Sequence, residues 1–155
     1  MGLTQIPSKG RQRIFSVGVV RSLNKIEPKS ILLVEDDPSV AKSLSVLLRL
    51  AKHHVEVAGD CETALNRYEE RKYDLVITDF LMPGIDGLEL ARLIRARVPQ
   101  QAILLITGHL EKVSNNEKAR LRHVDGLLAK PFSQPQLHEA LKMMFLKGVQ
   151  VSRAR

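Results

Sequence analysis

Four apolar runs in this chain stop at residues that could handle a charged oxygen. Ile31–Val34 runs into Glu35, Asp36 and Asp37. Asp74–Thr78 ends beside Asp79, Ala102–Ile106 beside Thr107, and Gly126–Ala129 beside Lys130, which Pro131 follows. If these run ends meet in space, three successive acids and Asp79 concentrate negative charge, which is costly unless a cation neutralises it. The candidate ligands are hard oxygens, with no Cys or His among them. That donor set suits Mg²⁺, which keeps several waters and commonly binds phosphate as well. Lys130 supplies a point charge for a carboxylate or phosphoryl oxygen, and Thr107 one hydroxyl donor. A carboxylate such as Asp79 can act as the nucleophile and become an aspartyl phosphate. These residue types therefore suit phosphoryl transfer to a carboxylate, promoted by positioning and electrostatics.

The elements that would position them follow from the hydrophobic pattern. Ile31–Val34 is a continuous apolar run, as in a strand buried on both faces, and Ala102–Ile106 is another. Val55 and Val57 alternate with polar neighbours as a second strand. Leu-Val-Ile within Asp74–Thr78 makes a third, and Gly126–Ala129 a short fifth. Helical stripes lie between them: Val40, Leu44, Leu47 and Leu48; then Ala64, Leu65 and Tyr68, with Asp60 placed to cap; then Leu88, Ala91 and Ile94. Residues 111–122 are polar and weakly periodic, a poor helix at best. Ser133-Gln-Pro-Gln136 has the form of a capping box with Pro in the first turn, and opens a helix with Leu137, Ala140, Leu141 and Met144 inward. The five β–α units predict an α/β fold, a doubly wound five-stranded parallel sheet with helices on both faces. Sites in such sheets gather outside the C-terminal ends of the strands, where the four polar run ends lie.

These residues also resemble a known family, the receiver domains of two-component response regulators. The matching motifs are Ile31-Leu-Leu-Val-Glu-Asp-Asp-Pro38, Leu75-Val-Ile-Thr-Asp-Phe-Leu-Met-Pro-Gly-Ile-Asp-Gly87, Leu104-Leu-Ile-Thr-Gly108 and Leu128-Ala-Lys-Pro-Phe132. Any one is weak, but the four stand in the family's order and spacing across residues 30–147. The resemblance implies a flavodoxin-like sheet of receiver type with strand order 2-1-3-4-5. It implies that Asp79 is the phosphoacceptor, Asp36 the direct Mg²⁺ ligand, and Glu35 its neighbour acting through water. The backbone carbonyl of Leu81 matches the third protein ligand, Thr107 the switch hydroxyl and Lys130 the phosphate-contacting lysine. Pro131 matches a proline whose preceding peptide is usually cis. The implied phosphodonor is a sensor histidine kinase or phosphotransfer protein. The receiver would catalyse its own phosphorylation and dephosphorylation without being a turnover enzyme. Dedicated aspartate phosphatases usually carry a second acid where this chain has Leu81.

Other polar residues have plainer readings. Asp37 is either a metal-shell residue or the N-cap of a helix starting near Pro38. Asp86-Gly87 makes the turn into the next helix, and Met82-Pro83-Gly84 is loop architecture. His109 is a solvated loop residue or a group that tunes dephosphorylation. His53 and His54 read as exposed connectors, and Cys61 as an inert small residue at a helix start. Two positions depart from the family. Leu127 stands where a Tyr or Phe often precedes the lysine by three residues, which puts the Thr–aromatic coupling in doubt. Leu81 is apolar where polar residues are frequent, and is expected to exclude water and lengthen the life of the aspartyl phosphate.

The net charge of +7 first suggests a nucleic-acid partner, but its distribution argues against one. Residues 1–30 carry six Lys or Arg against one acid, and residues 153–155 add two Arg, while 31–152 hold 16 basic and 16 acidic residues. The expected organisation is a basic, flexible extension over 1–29 with a short strand candidate at Phe15–Val20, a receiver domain over 30–147 and a tail over 148–155. A single cysteine excludes a disulfide framework and fits a reducing compartment. No apolar run approaches the roughly 18 residues of a membrane span. A cytoplasmic, single-domain regulator or an excised receiver is the expectation, with homodimerisation left open. The competing readings are a phosphohydrolase and a degenerate receiver serving as a phosphorylation-independent interaction module.

Overall fold

The computed structural model describes residues 27–112 and 119–152. The strand candidate Phe15–Val20 and most of the basic extension lie outside the described residues. Five strands form one parallel sheet: β1 (Ser30–Val34), β2 (His54–Ala58), β3 (Leu75–Asp79), β4 (Ile103–Thr107) and β5 (Gly126–Ala129), in the order β2-β1-β3-β4-β5. Among the described residues, the helices with full bounds are α1 (Pro38–Leu50), α2 (Cys61–Glu70), α3 (Gly87–Arg97) and α4 (Gln134–Ser152). α4 continues past Lys147. Where the sequence is polar and weakly periodic, two 3₁₀ turns appear, Leu110–Lys112 and Leu121–His123.

Alternation along the strands divides the core. Ile31 and Leu33 pack with Leu44, Leu48, Leu137, Leu141 and Met144 on the α1/α4 face. Leu32 and Val34 pack with Ala64, Tyr73, Leu90 and Ile94 on the α2/α3 face. Both faces are covered, which is why β1, β3 and β4 read as unbroken apolar runs. Burying each large aliphatic side chain contributes about 1.5–3 kcal/mol.

The helix starts follow their capping residues. Asp37 is the N-cap of α1, accepting from the amides of Ser39 at 2.8 Å and Val40 at 3.1 Å. Asp60 caps α2 through Thr63 N at 2.7 Å, and Asp86 caps α3 through Glu89 N at 2.8 Å. Before α4, Gln136 accepts from the Ser133 amide at 2.8 Å, as the capping box predicts.

One expectation fails. His54 is exposed, but His53 is buried at 4% exposure. Its Nδ1 accepts from Lys29 N at 3.2 Å and its ring lies 5.6 Å from that of Phe145. The cause is tertiary: α4 brings Phe145 onto the α1–β2 connection, which the local His-His sequence does not reveal. Among the described residues, no helix is long and apolar enough to cross a membrane.

Candidate functional site

Register delivers the polar run ends to one place. Val34 pairs with Thr78, Asp79 with Ile106, and Thr107 with Ala129, so β1, β3, β4 and β5 finish nearly level. Glu35, Asp79, Thr107 and Lys130 therefore emerge at the same sheet end.

Glu35, Asp36 and Asp79 each offer a carboxylate oxygen, and these oxygens lie within 4.8 Å of one another. Glu35 is the buried member at 3% exposure, Asp79 is half-buried and Asp36 is exposed. Burial pushes the Glu35 carboxyl above its usual range, and the Asp79 charge adds to this. The hydrogen bond from Lys130 and its charge pull the other way, as does the Asp37 amide at 3.3 Å. Lys130 Nζ donates to Glu35 Oε2 at 2.9 Å and lies 3.4 Å from Asp79 Oδ1. Burial alone would lower the Lys130 ammonium, but the hydrogen bond to Glu35 and the charges of Asp79 and Glu35 leave it raised. Lys130 is therefore held as a cation between two acids. The donor set, three carboxylates and no softer atom, fits Mg²⁺.

Thr107 is buried, and its Oγ1 accepts from His109 N at 2.9 Å. Its carbonyl accepts from Lys130 N at 2.7 Å, which joins the hydroxyl and ammonium positions through the backbone. The Lys130–Pro131 peptide is cis. Leu81 lies in the loop leaving β3 and is 39% exposed. That loop is held close: a Cβ on Gly87 would sit 1.9 Å from Asp79 O, and Gly87 N donates to Phe80 O at 3.0 Å. Only glycine lets the start of α3 approach the backbone of Asp79 so closely. Gly84 turns the same loop with φ of 77°.

The structure thus brings together Glu35, Asp36, Asp79, Thr107 and Lys130, with Leu81 beside them. Asp37 is a cap rather than a member of the carboxylate group. Cys61 is buried, its Sγ donates to Ile85 O at 2.9 Å, and burial pushes its thiol up to about 11, as suits an inert residue. Leu127 faces outward from β5, 43% exposed.

Comparison with known proteins agrees with this architecture. The model of the response regulator receiver domain matches residues 31–142. The chain belongs to that family. Response regulator receiver protein CpdR of Brucella abortus is 33% identical over 118 residues, covering 76% of this chain and 98% of that protein. Transcriptional activator protein PfeR of Pseudomonas aeruginosa is 31% identical over 151 residues, covering 97% of this chain but 48% of that protein. The chain likewise spans 18% of transcription factor SKN7 of Saccharomyces cerevisiae. Response regulator protein TrrA of Thermotoga maritima, solved in complex with Mg(2+)-BeF, superposes with a TM-score of 0.65 at 31% identity, covering 74% of this chain and 96% of that one.

Proposed function

We propose that the chain is a phosphorylation-dependent signalling switch in which Asp79 accepts a phosphoryl group in a Mg²⁺-dependent reaction. The observation that carries this reading is Lys130 Nζ bridging Glu35 and Asp79 within a close group of three carboxylates. Receiver relatives support it, among them one solved with Mg(2+)-BeF. Mg²⁺ held by Glu35, Asp36, Asp79 and the Leu81 carbonyl would neutralise the cluster and the charge on the transferring group. An Asp79 oxygen attacks the phosphorus of a phosphohistidine or acyl phosphate, and the bond to the donor breaks with its electron pair leaving on the donor. Lys130 stabilises the phosphoryl oxygens, and the Thr107 hydroxyl turns toward them.

The donor is a histidine kinase or phosphotransfer protein, and the chain is a phosphoacceptor rather than a turnover enzyme. A groove of about 420 Å³, lined by Val40, Leu44, Lys130 and Phe132, opens beside the site and offers the donor a surface. The output is a shift between two states of the protein, read at the face that includes β5 and α4. With Leu127 on β5, that shift is carried by packing rather than by an aromatic ring. Leu81 sets the lifetime: its apolar side chain leaves no polar group to orient attacking water. Leu81→Asn and Leu81→Glu should change the half-life of the phosphorylated form, read by intact mass over time. An unchanged half-life in both variants removes this role. The reading as a whole is tested by exposing the protein to an acyl phosphate with Mg²⁺. A gain of one phosphoryl group located at Asp79 supports it, and no gain overturns it.

A further inference from the structure

The loop that leaves Asp79 is gripped from a direction that none of the site residues explains. Asp86 Oδ1 caps α3 through Glu89 N and also accepts from Arg120 Nη2 at 2.6 Å. Both partners are partly screened, with side chains 34% and 29% exposed. Arg120 precedes the 3₁₀ turn Leu121–His123, and that turn is pinned to the far end of α3: Arg95 donates to His123 O at 3.1 Å and to Asp125 Oδ2 at 2.7 Å. Leu121 and Val124 pack against Phe80, Leu88 and Leu105. The turn therefore rides along α3, tied at both helix ends. On the other side, Cys61 holds Ile85 O. Ile85 and Asp86 are thus fixed from two elements. The next residue, Gly87, lies against the Asp79 backbone, where a Cβ would sit 1.9 Å from the Asp79 carbonyl oxygen, and its amide donates to Phe80 O at 3.0 Å.

We infer that Arg120, acting through Asp86, is a positioning residue for the cation site: it holds the β3–α3 loop so that Asp79 and the Leu81 carbonyl are presented together to a divalent cation. The inference rests on the Mg²⁺ role assigned under the proposed function. Outer groups that orient metal ligands commonly govern affinity without touching the ion. A preset loop spares the ordering cost of binding.

The probe is Mg²⁺ itself, titrated into the full chain and followed by calorimetry. Arg120→Gln and Asp86→Asn are made separately and together; asparagine keeps the α3 cap while removing the charge. Each single variant should bind Mg²⁺ about three- to tenfold more weakly. The double variant should be no weaker than the worse single one, and Arg120→Lys should restore most of the affinity. The rate of uptake from acyl phosphate should fall at low Mg²⁺ and recover at saturating Mg²⁺. A lower thermal midpoint with unchanged Mg²⁺ affinity overturns the inference, since it leaves Arg120 a merely structural role. Fully additive losses overturn it as well. If the wild-type chain itself binds no Mg²⁺, the proposed function fails and the inference with it. Wild-type binding with unaltered variants removes the inference alone.

Discussion

The two ends of the sheet use the same residue types in opposite ways. At the N-terminal end each acid closes on donors. Asp74 accepts from Ser30 N at 2.8 Å, and Asp125 accepts from Ile103 N at 2.9 Å and from Arg95 at 2.7 Å. At the C-terminal end Glu35, Asp36 and Asp79 face one another, with Lys130 the one cation bridging Glu35 and Asp79 among the described residues. Acids at the first end satisfy backbone amides and lock strand entry. Acids at the second are held close although like charges repel, an arrangement that gains from a cation and a phosphoryl group. Carboxylates are common in both places; at the first end they are spread over separate amides and Arg95, and at the second three of them crowd around one lysine.

That contrast can be broken most severely at Lys130. Lys130→Met should slow uptake from acyl phosphate by about 10²-fold, since a positioned charge on the transferring group is lost. Single-turnover mass measurements check this, and a rate within twofold of wild type would place the lysine outside the chemistry. The opposite outcome is expected at the other end. Asp74→Ala should cost about 0.5–1.5 kcal/mol in urea unfolding, because Ser30 N loses its acceptor, while the uptake rate of the folded protein stays unchanged. Slower uptake with intact stability would reverse the assignment of the two ends.

Much of this division is legible in the sequence. Strands buried on both faces announce themselves as apolar runs, and the residues that end those runs are the ones the sheet brings together. Caps at Asp60 and Ser133 are local and readable for the same reason. Asp37 stays ambiguous until its carboxylate is seen on the α1 amides. Long-range partners leave no local trace. Nothing around Arg120 signals Asp86, and nothing in His53-His54 signals Phe145 or the Lys29 amide. The sheet order depends on crossover connections rather than on pattern, and it entered through the family resemblance.

His53 supplies the smallest test of the comparison. Burial lowers its pKa from the ordinary 6.5, with His138 and Lys29 adding to the effect, His54 contributing in the same sense and Asp74 opposing. A depressed folded pKa makes the contribution complete above pH 6.5 and progressively lost as pH falls through the folded value. Urea unfolding of the wild type should therefore weaken between pH 7.5 and pH 5.5 more than that of His53→Phe. Equal losses in the two proteins would show that the buried ring does not titrate with unfolding.

Everything proposed for the C-terminal sheet end depends on Asp79 taking a phosphoryl group. Intact mass after incubation with a small acyl phosphate addresses it most directly, with and without Mg²⁺ and with Asp79→Asn alongside. A gain of one phosphoryl group is expected only when Mg²⁺ and Asp79 are both present. No gain in the wild type, or an equal gain in Asp79→Asn, would contradict it.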